Sequence, residues 1–499
     1  MAYTNSPELQ SYKTVKLDFT ATPFYRMGDL SVQRDANMIN LFFDRVSNEN
    51  QERAYVLKKR AGIGQSTYSL TKTSASNTIV GYFYAPDDGY IYWALSDKKV
   101  YSLKLSDGTV TNINTFTNTP TQVGFCAFLK SNGTRYLMMT DGIELYYHTF
   151  GTGVSTKVTD ADLPSPHQPY PVYLDGYLFL VKSNTGDIYN SNLDDPSAWT
   201  AGDFITSEIS ADYINVLHKM KNYIVAFGNS TIEFFYDGAN LSGSPLTRNE
   251  SYVHYISYIG GLVTIGDRAF FIAHAVGQGA RVYQMLGDQI APISNPVVER
   301  TIQSLGTSQS SVGITANSLG HSISIDGHDF YIMNTSQNTW IYDIDTKLWS
   351  EWRTSNDTAA GLVIEAIWNI DRATVLMGIS NLSYVSYMST SLYQDFGSNF
   401  TCTYTTEDFT ADTPNWKTCH RVYVVADMHQ QGTSNATLSW SDNDWNDGGV
   451  TARNVNIFSS SPYITQTGRF RNRSWRLKYA DNYPFRCKGL IMDLNVGNT

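Results

Sequence analysis

Between Tyr223 and Gly238 the chain reads YIVAFGNSTIEFFYDG, two short apolar runs around Gly228-Asn229-Ser230. Gly and Asn tolerate the positive φ of tight hairpin turns, so the pattern predicts two antiparallel strands. Alternation sends Val225 and Phe227 one way and Ile224 and Ala226 the other. On the partner strand Ile232, Phe234 and Tyr236 face away from Glu233 and Phe235. Both faces are apolar, which suits a hairpin stacked between sheets. Glu233, the one charge inside the two runs, reads as a cross-strand or strand-edge partner.

The same texture repeats. Short apolar strands joined by Asp/Gly turns are predicted at 78–84, 90–95 and 99–105, then at 124–128, 135–140 and 143–148, then at 172–174, 177–181 and 187–191. The opening hairpin extends a fourth set, 218–227 with 231–236. A fifth covers 262–265, 269–273 and 282–286. A sixth covers 322–325, 329–334, 339–343 and 348–352, and a seventh 362–370, 374–379 and 382–388. A recurrence of roughly 40–60 residues is the period of four-stranded propeller blades. The expectation is an all-β protein with a β-propeller of six or seven blades. Trp349 and Trp352, which end the sixth set, read as packing residues against a neighbouring sheet.

Both ends differ from this middle. Strands are predicted at 14–19, 38–45 and 54–59, the last running into Lys58-Lys59-Arg60, read as a charged strand end or a contact with a partner subunit. Near the C-terminus longer strands at 400–405, 420–426, 436–440, 454–458, 474–479 and 487–493 suggest a β-sandwich. The domains are therefore expected at 1–75 (a platform segment), 76–396 (the propeller) and 397–499 (a sandwich packing with the N-terminal segment). Within GRFRNRSWRLK, residues 468–478, a strand would put Arg469, Arg471 and Arg473 on one face, with Arg476 beyond them. That reads first as an ion-paired or solvated edge, second as a partner-binding face and third as a nucleic-acid patch.

Composition sharpens this picture. Of 499 residues only 16% are charged, against roughly 25% in ordinary soluble domains, while 34 Tyr and 36 Gly fit strands and turns. The net charge of −10 argues against a clamp on nucleic-acid phosphates. Cys126, Cys402, Cys419 and Cys487 form no C-x-x-C pair and read as free thiols. The N-terminus lacks the basic and apolar regions of a signal peptide, and the longest apolar runs, such as RAFFIAHAV, are strand-sized.

Candidate chemistry is sparse. Nucleophile-elbow, P-loop, dinucleotide-fold and H-E-x-x-H motifs are absent from the sequence. The nine His are scattered, and His321 and His328, flanking a turn, read as polar loop residues. The run from Asp442 through Asp444 and Asn446 to Gly448 resembles the start of a calcium loop. Its glycine comes one place late, and Arg453 stands where a bidentate Glu belongs. Asp343 and Asp345 are weaker candidates. The adjacent pairs Asp87-Asp88 and Asp194-Asp195 lie in predicted turns without the separation that glycoside hydrolysis requires. No catalytic, cofactor or metal residue is assigned, and the chain is expected not to be an enzyme. A glycan-binding or glycan-hydrolysing propeller is the alternative.

One string is more specific. IVAFGNSTIEFFYDG resembles the FG-x-S-T-x-E-[FY]-F signature of the tail hub, or nozzle, proteins of short-tailed bacteriophages, also called packaged-DNA stabilisation proteins. GGLVTIGDRAFFIAHAVGQGARVYQMLGDQIAPISNPVVERTI is similar to the segment that follows in that family. NLFFDRVSNENQERAYVLKKRAGIG is similar to its opening, with Ala61 in place of a proline, and GRFRNRSWRLKYADNYPFRCKGLIMDL to its end. The resemblance implies a propeller on a platform built from both chain ends. It implies a structural virion protein, assembled in the bacterial cytoplasm as a homo-hexamer below the portal and its adaptor ring. Tail needle or plug and tailspikes or fibres would attach to it, and double-stranded DNA would pass through its lumen without sequence specificity. In that setting Glu233 is a packing and hydrogen-bonding residue.

Overall fold

The structure is a computed structural model that describes residues 13–19, 37–46, 54–74, 76–207, 209–210, 212–240, 242–304, 320–335, 338–354, 362–427, 434–446 and 452–497. The chain forms two compact units. One comprises Ile63–Lys347 and Gly361–Thr390; the other comprises Met1–Gly62, Leu348–Ala360 and Ser391–Thr499. Among the described residues the only helix is Pro296–Ser304.

The first unit is a β-propeller with seven sheets. Their first strands are Ile79–Ala85, Gly124–Leu129, Val172–Leu174, Ile214–Met220, Ile256–Ile265, Gly320–Ile325 and Ile364–Asn369. Consecutive sheets adjoin at or beside these strands, and Ile364–Asn369 lies against Ile79–Ala85, which closes the ring. The approach is close enough to demand glycine. A Cβ on Gly81 would stand 2.1 Å from the Val123 carbonyl oxygen, and one on Gly124 2.1 Å from that of Pro169.

Apolar side chains fill the spaces between sheets. The opening hairpin shows why both its faces are apolar. Val225, Phe227, Ile232 and Phe234 pack with Phe271, Tyr283 and Met285 of the fifth sheet. Ile224, Ala226 and Phe235 pack with Leu174, Phe179 and Ile188 of the third. The alternation read from sequence is therefore the real one. The turn chemistry is not: Gly228, Asn229 and Ser230 do not adopt positive φ. The Asp212 carboxylate holds the turn instead, accepting from the Ser230 and Thr231 N–H groups at 2.6 and 3.0 Å.

Other boundaries also move. The expected strand 218–227 is two strands, Ile214–Met220 and Tyr223–Gly228, turning at Lys221 with φ of 54°. Each of the first five sheets has a fourth, outer strand that alternation did not reveal: Val110–Thr115, Ser155–Lys157, Asp195–Thr206, Leu246–His254 and Gln289–Pro292. The seventh sheet takes its outer strand, Gly62–Ser69, from the beginning of the chain. A propeller whose last blade borrows an N-terminal strand is fastened by backbone hydrogen bonds between distant parts of the sequence.

The second unit is a sandwich of two sheets. One orders Leu41–Val46, Ala54–Lys59, Arg486–Val496, Lys417–Ala426 and Tyr463–Phe470, with Lys13–Asp18 also paired to Arg486–Val496. The other runs Leu348–Trp352, Asn37–Ile39, Cys402–Thr405, Ser474–Tyr479, Asn435–Ser441 and Arg453–Asn456. Phe19, Phe43, Leu57, Tyr404, Val422, Trp475 and Met492 meet in a single core between them. The expected strand 38–45 is broken at Asn40, whose φ of 57° lets the chain step from one sheet to the other.

Candidate functional site

The inner strands of the first four blades line a cavity of about 510 Å³ at the propeller centre, with Tyr82, Gln122, Cys126, Tyr170, His218 and Lys219 on its wall. Its polar groups are tied across blades. His321 Nε2 is 2.9 Å from the Ile364 carbonyl, which can only accept, so this nitrogen carries the proton. Nδ1 therefore accepts from the Tyr82 hydroxyl at 2.9 Å, linking the first, sixth and seventh blades. Tyr170 donates to Gln122 Oε1 at 2.8 Å, Tyr331 donates to the Gly261 carbonyl at 3.1 Å, and His218 pairs with the Thr264 hydroxyl. Burial pushes the Tyr82 and Tyr331 phenols well above their usual value, brings the His218 and His321 imidazoles down to about 4, and lifts the Cys126 thiol to about 12. At neutral pH these phenols, imidazoles and the thiol are uncharged. His321 and His328 are both buried strand residues, not the loop residues expected from sequence.

The acidic candidates are all engaged within the fold. Glu233 is 1% exposed; Ser207 Oγ donates to its Oε1 at 2.5 Å, and the Arg248 guanidinium stands 3.8 Å from Oε2. Ser207 follows the outer strand of the third blade, so Glu233 fastens that blade to the fourth. Asp87 and Asp88 flank Arg135 at 3.3 and 3.1 Å. Asp194 accepts from the Ser131 N–H and hydroxyl, both at 2.6 Å, and Asp195 from Ser197. Ligand atoms of His328, Asp343 and Asp345 lie within 4.8 Å of one another. Asp343 is already occupied: it accepts from the Asp345 N–H at 2.9 Å and the Thr346 hydroxyl at 2.9 Å, and lies 3.0 Å from His328 Nδ1. The trio therefore fastens the turn at Asp343–Lys347 without requiring a cation.

In the sandwich the basic runs come apart. Arg469, Arg471 and Arg473 do not share a face, because the strand Tyr463–Phe470 ends before Arg471 and the next begins at Ser474. Arg473 is 1% exposed and grips Asp442 through Nε at 2.6 Å and Nη2 at 2.8 Å. The same contact removes Asp442 from any calcium loop; Asp447 and Gly448 of that loop lie outside the described residues. Arg469 and Arg471 flank the Trp416 ring, and Arg476 covers Trp445.

Lys59 and Arg60, expected at an exposed strand end or a subunit contact, are buried. Arg60 donates to both Asp395 oxygens, to Asn40 Oδ1 at 2.9 Å and to the Ala61 and Arg353 carbonyls at 2.9 and 3.0 Å, while its plane lies 3.9 Å from the Phe400 ring centre. Lys59 Nζ donates to the Tyr393 and Asp481 carbonyls, both at 2.8 Å, and burial lowers its pKa. One cluster thus joins three separated stretches of the sandwich. Sequence reasoning missed it because its partners are some 300 residues away.

Comparison with known proteins adds to this geometry. A family described as "Bacteriophage P22 Gp10, beta-propeller" matches residues 57–375. The tail hub protein gp10 of Salmonella phage P22 is 26% identical over 141 residues, a match that covers 28% of this chain and 29% of that protein. Solved structures with a similar chain path include the N-terminal domain of Nup159 and the WD40 repeats of RRP9, at 8% and 9% identity. Each covers 66% of this chain, with 95% and 99% of its own length aligned and TM-scores of 0.40. The family match spans six blades and, in the seventh, the strands Gly62–Ser69 and Ile364–Asn369, including the FG-x-S-T-x-E string, and the chain belongs to the family of bacteriophage P22 Gp10 β-propeller proteins.

Proposed function

We propose that this chain is the tail hub of a short-tailed phage virion, a structural protein without catalytic activity. In this reading six copies form a tube beneath the portal and adaptor ring. The tube closes the tail, retains packaged DNA and later conducts it out, and needle and tailspikes or fibres attach to it. Assembly takes place in the host cytoplasm. The observation that carries the reading is the family match across the propeller.

Charge supports the conducting role. The propeller stretches 63–347 and 361–390 hold 16 basic and 27 acidic residues, so the acidic excess of the chain resides there. An acidic wall repels phosphates, whereas each basic contact would add a release step to DNA movement. We place these acids along the lumen of the assembled ring. Electron microscopy of virions, or of the protein bound to its portal–adaptor complex, tests the reading. A six-fold ring in the tail is expected. Absence of the protein from tails overturns the hub assignment, and a basic channel in the ring overturns the lumen assignment.

A further inference from the structure

The sandwich carries a face of aromatic and basic side chains. Strand register puts Arg421 opposite Thr465 and Asp493, Tyr423 opposite Tyr463 and Ile491, and Thr418 opposite Arg469. The alternate residues Val422, Val424, Ile464, Phe470 and Met492 enter the core, so the first set shares the other side of the sheet. Arg421, Arg469 and Arg471 are exposed, and none lies within ion-pair distance of a carboxylate among the described residues. Their guanidinium groups rest on rings instead. Arg421 is 5.6 Å from the Tyr463 centroid, and Arg469 and Arg471 are 5.3 and 5.1 Å from that of Trp416. Asp493, the one acid in this register, accepts from the Thr14 hydroxyl at 3.1 Å. Trp416 and Tyr463 remain 38% and 42% exposed.

Three physical features make this a docking surface. Tryptophan, tyrosine and arginine are the residues that dominate binding energy at protein interfaces. A guanidinium held against a ring has already lost rotamer freedom, so ordering it on binding costs less. The remaining N–H donors are free to meet carboxylates in a bidentate way. The charge distribution names the occupant. The sandwich stretches hold 20 basic and 19 acidic residues, against 16 and 27 in the propeller, so the acidic complement lies on the same chain.

We propose that this face docks on an acidic surface of the propeller of a second copy of the chain. Such a contact is heterologous, the kind that generates a closed ring when its rotation closes. The proposal rests on the ring reading given above and supplies it with a contact.

Sedimentation of the full chain across protein and salt concentration tests it, with R421E/R469E/R471E and W416A as variants. None of the three arginines holds an internal ion pair, so unchanged melting temperature is the folding control. The wild type is expected to self-associate, more weakly at high salt, and the triple variant to lose about 100-fold in association. W416A is expected to lose about tenfold or more. A triple variant that assembles like wild type overturns the docking face and leaves the hub reading standing. A wild type that stays monomeric at every concentration also overturns it. Retardation of duplex DNA by the wild type but not by the triple variant reassigns the face to nucleic acid. Absence of the protein from virion tails overturns the hub reading and leaves the self-association result intact.

Discussion

His321 is fully buried in the propeller, and its two hydrogen bonds use the neutral tautomer. Its imidazole titrates at about 4 in the fold, against about 6.5 in an unfolded chain. Between those values the unfolded chain binds more protons. Stability is therefore complete above pH 6.5 and is lost as pH falls toward 4, by at most about 3 kcal/mol for this residue. Melting temperatures at pH 4.5 and 7.5 should show the drop. His321→Gln, which keeps a neutral donor and acceptor, should shrink it; an unchanged pH dependence would sink the argument. His218 acts in the same direction, so the drop should persist in part. Arg60 is the opposite case, a buried guanidinium whose donors are met by Asp395, Asn40 and backbone carbonyls. Arg60→Ala takes the bidentate guanidinium from the buried Asp395 carboxylate and should cost about 3–5 kcal/mol in denaturant unfolding. Arg60→Lys should recover little, because an ammonium cannot reproduce the bidentate fork. Glu233→Gln keeps an acceptor for Ser207 but loses the Arg248 attraction. A loss of about 1–3 kcal/mol is expected, with no change in any enzymatic rate.

The propeller ring closes between its last and first blades, where the last blade is completed by Gly62–Ser69 from the beginning of the chain. Two devices hold it. Trp368 donates its indole N–H to the Tyr92 carbonyl and meets Trp93 edge-on at 6.2 Å. Lys72, just after the closing strand, pairs at 2.9 Å with Glu365, which also accepts from the Ile79 N–H at 3.0 Å. Both side chains are almost fully buried. Lys72→Ala should therefore destabilise by about 3–5 kcal/mol, whereas Lys72→Met with Glu365→Gln should restore most of it, because the loss comes from an unpaired buried charge. Chemical denaturation of the three proteins separates these outcomes, and a double variant as weak as the single one rules the explanation out. Middle strands such as Tyr223–Gly228 were legible in the sequence because both their faces are buried, as Val225 and Ile224 show by packing to opposite sides. Outer strands such as Ser155–Lys157 and Gln289–Pro292 were not, because short edge strands carry little apolar pattern. The turn at Lys221 lacks Gly or Pro, and the one after Gly228 is set by Asp212, sixteen residues earlier. The arginine clusters were misread for the same reason. Whether Arg473 or Arg469 is exposed depends on Asp442 and Trp416, which no local pattern connects to them.

At the scale of the molecule, charge divides along the two units: the propeller stretches carry the acidic excess and the sandwich stretches are close to neutral. A protein that holds DNA by its phosphates releases counterions, and its affinity falls with salt by a slope of about 0.9 for each phosphate contact. A wall meant to let DNA slide should show no such slope, because no contacts are made. The full chain is therefore expected to leave duplex DNA unretarded in gels at both 50 and 200 mM salt, roughly the range over which phosphate binders lose most affinity. Converting exposed propeller acids to lysine, for example Asp162, Asp175, Glu250 and Asp267 together, should create retardation at the lower salt that disappears at the higher. Those side chains form no ion pairs within the fold among the described residues except Asp267, which lies 4.0 Å from Arg268, so folding should survive the change. Wild-type binding in the range of ordinary non-specific DNA proteins, with a Kd of about 10⁻⁴ to 10⁻⁶ M, would contradict the sliding wall. It would make the acidic excess a matter of solubility alone, and the conducting role would then have to rest on the arginines of the sandwich.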